Sequence, residues 1–112
     1  MIINKKIIEI FKPLKIPCVF MEYNGQAERY LVFSTTNQAN SEFADDNAMA
    51  EKINVGLNYF YKKPEDMMLI EEINKVLKDN NFSIASQRDI HKNGTDFYNR
   101  SFYLEYKNNF EI

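Results

Sequence analysis

A single cysteine, Cys18, rules out an intrachain disulfide and any cysteine-rich metal site, and it fits a chain made in a reducing cytoplasm. A single histidine, His91, sits beside a predicted turn and reads as a solvated side chain rather than a general base or ligand. The three glycines, Gly25, Gly56 and Gly94, lie far apart, so no glycine-rich phosphate loop exists. Tryptophan is absent. No stretch approaches the length of a membrane span, and the N-terminal MIINKKIIEIFKPLK lacks both the apolar run and the cleavage site of a signal peptide. Net charge is −2 with scattered basic residues, which leaves neither a basic face for nucleic acid nor a polybasic membrane anchor.

Chemistry-bearing groups are equally sparse. Cys18, between Pro17 and Val19 on a predicted strand, reads as buried and inert. Ser34, Ser41, Ser83, Ser86 and Ser101 lie in no nucleophile motif. Asp45-Asp46 reads as solvated charge before a hard-metal site. A non-enzymatic protein without cofactor or metal is the expectation.

What is present is organised around residues 53–81. Ile53, Val55, Leu57, Tyr59 and Tyr61 alternate with Asn54, Gly56, Asn58 and Phe60, the pattern of a strand with one greasy face. The period then changes. Leu69, Ile70, Ile73, Val76 and Leu77 form one stripe of a helix. Pro64 suits its first turn, Glu65 and Asp66 complement its dipole, and Asn80-Asn81 closes it.

Residues 4–12 predict a first helix capped by Asn4, with Ile3 stapled onto Ile8, a buried stripe of Ile7, Ile8 and Phe11, and Pro13 as its stop. Residues 18–22 and 29–35 read as a hairpin around Asn24-Gly25, with Val19 facing Tyr30 and Cys18 facing Leu31. Residues 82–89 and 97–107 read as a second pair. A three-residue loop with Gly94 left-handed sets Phe82 opposite Leu104 and Ile84 opposite Phe102, all on one face. The polar stretch 36–52 is either a surface loop or strands two and three continuing outward as a long arm. Its acidic members are Glu42, Asp45, Asp46 and Glu51, with Phe43 among them.

The chain is thus read as one domain of class α+β: a mainly antiparallel sheet with two helices on one face, in the order α-β-β-(long arm or loop)-β-α-β-β. Phe60, Tyr103 and one side of the first hairpin fall on the sheet face that the helices leave open, and a contiguous set of such large residues would mark an interface.

With these features in hand, the chain resembles the tail-completion (tail terminator) proteins of long-tailed phages and prophages. The resemblance is carried by Ile16-Pro17, by Tyr30-Leu31-Val32-Phe33, and by Ala44-Asp45-Asp46. It continues through the alternating strand ending in Lys62, the helix with Ile73 and Leu77, then Asn81-Phe82, Asp89, Tyr98 and Phe102-Tyr103-Leu104-Glu105-Tyr106. The chain departs from the family pattern at Asn81, where glycine is common, and at Asn99-Arg100, where His-Lys often stands. The resemblance implies a structural virion protein, made in the bacterial cytoplasm, that forms a ring typically of six subunits at the head-proximal end of the tail tube. Its partners would be other copies of itself, the tail tube protein and a head-tail connector protein, with DNA passing through the channel without tight binding and no membrane involved. On this view the arm residues Glu42, Phe43, Asp45, Asp46 and Glu51 would face the lumen or an axial partner. The alternatives are another head-tail connector component (a stopper or head-completion protein) and a small cytoplasmic module that binds a protein by adding a strand to its sheet.

Overall fold

The alternating segment becomes the middle of a sheet. The computed structural model describes residues 2–40, 50–90 and 94–109, with side chains for 3–35, 53–90 and 94–106. Along the chain come α1 (Ile2–Ile10), β1 (Cys18–Phe20), β2 (Arg29–Asn40), β3 (Ala50–Tyr61), α2 (Leu69–Asp79), β4 (Phe82–Ile90) and β5 (Tyr98–Asn109). The strands form one mixed sheet in the order β1-β2-β3-β5-β4, parallel only between β1 and β2. Both helices contribute to a single apolar cluster on one face of that sheet, so the chain is α+β as its periodicities predict.

β3 pairs with β2 on one side and β5 on the other. Its residues Ile53, Val55, Leu57, Tyr59 and Tyr61 are buried against the helices, together with Leu31 and Phe33 of β2 and Phe102 and Leu104 of β5. α2 covers them with Ile70, Ile73 and Leu77, at the spacing that keeps three side chains on one stripe. A 3-10 turn, Pro64–Met68, leads into α2 and is fastened to the sheet. The Tyr59 hydroxyl donates to the Asp66 carbonyl at 2.9 Å, and Arg29 pairs with the Asp66 carboxylate at 3.0 Å. At the other end, the Asn80 side chain donates to the Val76 carbonyl at 2.7 Å and Asn81 takes the left-handed conformation (φ 68°) that stops the helix.

The structure corrects three details and decides between the two readings of a fourth. First, β1 and β2 are not a hairpin. They are parallel, with Cys18 beside Leu31 but Val19 beside Val32 instead of Tyr30. β1 ends after three residues at a γ-turn, where Met21 has φ 75° and the Glu22 N–H donates to the Phe20 carbonyl. Residues 21–28 then return across the helix-free face. There the Tyr23 ring stacks on Tyr30 at 4.3 Å and its hydroxyl accepts from the Ala27 N–H. Gly25 lies against that ring so closely that a Cβ would overlap it. The Asn24-Gly25 turn signal is therefore real but serves a crossover.

Second, α1 begins at Ile2, with Asn4 inside it, and buries Ile3, Ile7 and Phe11. Ile8, expected in the stripe, is 37% exposed because every-fourth spacing from Ile3 selects the other side chains. Third, Phe82 faces Tyr106 and Ile84 faces Leu104. A bulge at Ala85 then sets Gln87 against Phe102. The faces are those expected, and Gly94 is left-handed (φ 71°), but the connection between β4 and β5 is longer than three residues, which shifts the register.

Fourth, of the two readings left open for 36–52, strands win wherever the chain is described. β2 runs to Asn40 and β3 starts at Ala50, with Asn40 beside Glu51, and β5 accompanies β3 as far as Asn109 beside Ala50. β2, β3 and β5 thus run on past the last residues paired with β1 and β4, and the molecule measures 49 × 27 × 24 Å. The acidic tip residues Glu42, Asp45 and Asp46, with Phe43, lie outside the described residues.

The two faces differ in what they contribute to stability. Phe102→Ala is expected to lower unfolding free energy by about 3–5 kcal/mol in urea titrations, as for a buried aromatic. Its neighbour on the opposite face, Ser101→Ala, should change it by less than about 0.5 kcal/mol. Equal effects would contradict the sidedness of β5.

Candidate functional site

Two surfaces stand out once the core is accounted for. The first is the helix-free face and the arm into which it runs. Tyr30, Val32 and Ser34 of β2, Asn54, Gly56, Asn58 and Phe60 of β3, and Asn99, Ser101, Tyr103 and Glu105 of β5 face this side, since each alternates with a buried neighbour. Their chemistry is aromatic at one end and small or amide-bearing along the middle.

The residues singled out in the sequence separate here. Phe60 is half-buried within its own chain: its ring stacks on Tyr30 at 5.1 Å and meets Phe97 edge-on at 6.5 Å, while the Lys62 ammonium lies 5.1 Å above Phe97. Tyr103 is 42% exposed and sits beside Gly56, which offers it no covering side chain. Four positions of β3 separate Gly56 from Phe60, about 13 Å at strand spacing, so the two aromatics do not form one patch. Tyr23, Tyr30 and Phe97 are the members that the sequence reading missed. A turn placed at residues 24–25 holds Tyr23 within reach of Tyr30, and that was the available signal.

The arm is defined by its edges. β1 accompanies β2 only over residues 31–33, and β4 begins opposite Tyr106. Among the described residues, β2 from 34 to 40 and β5 from 107 to 109 therefore have a partner strand on one side only. Residues 34–40 carry no charged side chain and no proline, the usual devices against edge pairing; a bulge at Thr36 is the one irregularity. Glu51 falls within this arm, on β3.

The second surface is an open groove of about 940 Å³ between the start of α2 and the sheet. It is lined by Arg29, Arg100, Asn74, the carboxylates Glu65, Asp66, Glu71 and Glu72, and by Met67 and Met68, which are 50% and 79% exposed. Its floor is fixed by side-chain pairing. Arg100 pairs with Asp89 at 2.7 Å and donates to Gln87 at 2.7 Å, and Gln87 in turn donates to Asn74 at 2.9 Å. The methionine doublet falls off the helical stripe in the sequence, and that misfit was its only advance sign.

Reactive groups are held in neutral form. Burial pushes the Cys18 thiol up to about 12, which suits a packing group rather than a nucleophile. Burial also raises Tyr30, Tyr59 and Tyr61, with smaller contributions from Tyr23 on the first, Asp66 on the second and Asp89 on the third. No group of three or more potential ligands gathers to hold a metal among the described residues, and no described helix is long and apolar enough to cross a membrane. The surfaces present edge amides, aromatic faces and exposed methionine. No protein-family model matches the sequence, and no curated protein matches it significantly.

The raised values fix a pH dependence. Above pH 9.0 the unfolded chain releases the Cys18 proton while the folded chain keeps it, so stability falls as pH rises toward about 12. The buried tyrosines act in the same direction. Urea titrations at pH 8 and pH 10.5 should show lower stability at the higher pH, and Cys18→Ala should flatten part of that loss. Constant or rising stability would contradict the burial of these groups.

Proposed function

We propose that this chain is a structural, self-assembling phage protein of the tail-terminator kind. Copies of it form a hexameric ring at the head-proximal end of the tail tube, end tube polymerisation and present the surface that joins the head. The observation that carries this reading is the arm. β2, β3 and β5 run on past β1 and β4, so that among the described residues the outer edges of β2 and β5 have no partner strand there, and such edges join subunits by strand pairing. A closed ring needs heterologous contacts, for which an elongated subunit with two unlike sheet edges is suited. Mild net acidity supports a channel through which DNA slides, because tight phosphate binding draws on clustered Lys and Arg. In this reading the acidic arm residues face the lumen or an axial partner. The tail tube protein and a head-tail connector protein are the axial neighbours, and the mature location is the virion tail.

Deletion of the gene in its source genome, followed by induction and negative-stain electron microscopy of the lysate, tests the proposal. Overlong or headless tails beside DNA-filled heads are the expected result. Normal tails beside emptied heads would move the protein to the head-side connector. Unchanged virions would favour a module that binds another protein by strand addition.

A further inference from the structure

The groove at the start of α2 and the outer surface of α1 are complementary in both charge and shape of pattern. In the groove, Arg29 and Arg100 are already neutralised by Asp66 and Asp89, whereas Glu65, Glu71 and Glu72 are exposed and form no ion pair among the described residues. The groove thus presents an apolar centre, Met67 and Met68, flanked by free carboxylates. On α1, Lys5 and Ile8 are exposed three residues apart on one stripe, and Lys12, exposed in the 3-10 turn that follows, extends the basic surface. Ile8 is the exposed apolar centre there, flanked by ammonium groups that form no ion pair among the described residues, and Glu9 is the one acidic residue beside four lysines in residues 2–15. No α1 residue lines the groove. One copy can therefore offer its stripe while accepting another's.

We infer that the Lys5-Ile8-Lys12 surface of one copy docks in the methionine groove of the next, head to tail. The inference rests on the ring reading, to which it adds the contact that joins neighbours. Ile8 packs on Met67 and Met68, the lysines meet Glu65, Glu71 and Glu72, and the non-overlapping surfaces make the contact heterologous, as ring closure requires. Thioether side chains adapt to an aliphatic partner without demanding one fixed geometry.

Charge reversal on either side tests this with the full-length protein. Sedimentation velocity at low salt should show self-association of the wild type. Glu71→Lys with Glu72→Lys, and separately Lys5→Glu with Lys12→Glu, should each raise the dissociation constant at least about tenfold. Mixing the two variants makes every groove meet an opposite stripe, so association should recover to within about threefold of wild type. Thermal melts of each variant confirm folding, since all four positions are exposed. Variants that assemble like wild type, a mixture that does not recover, or a wild type that stays monomeric would each overturn the contact. Recovery that yields pairs or open chains would uphold the contact and refute the ring. Rings indifferent to both reversals would uphold the ring and refute the contact.

Discussion

Strand β3 is paired on both sides from Glu51 to Tyr61, and the rest of the molecule depends on that. A strand with two partners has no free edge, and one with a wholly apolar face must have that face covered. Both helices are recruited to do so, and Tyr59 extends the constraint further. Its ring is fully buried while its hydroxyl donates to the Asp66 carbonyl, which anchors the turn that launches α2. With the helices committed to one side, the opposite face is left to the returning segment 21–28, Phe97 and solvent.

From the same strand follows the split between a stable body and a surface suited to assembly. The body is closed by side chains from every element. The arm's strands are joined by backbone pairing from Asn40 and Ala50 to Asn109. Such an element is weakly specified by itself and gains from a neighbour. The proposed ring would draw on this combination, a packed frame carrying strand edges that another copy could pair with.

Much of this was legible in the sequence because it rests on period. Alternation in 53–61 and the stripe from Ile70 to Leu77 are local signals, and each found its expected partner face. What escaped was non-local. Asn24-Gly25 marks a turn, but whether it joins a hairpin or a crossover depends on β1 stopping at Met21, and a positive φ on methionine has no sequence signature. The register of β4 on β5 is set by a connection longer than three residues together with the bulge at Ala85, one residue that no pattern announces. Ile8 is apolar, which favours an inward position, but its spacing from Ile3 points it outward. The groove was illegible for a similar reason: Arg29, Met67 and Arg100 come together only because β2 and β5 flank the same strand.

The central claim is that this chain caps a growing tube. Purified protein added to overgrown tail tubes from a deletion lysate, and imaged by negative stain, tests it directly. A ring on one end of each tube, with no further elongation when tube subunits are supplied, is the result the account expects. Tubes that stay bare and continue to lengthen would contradict it.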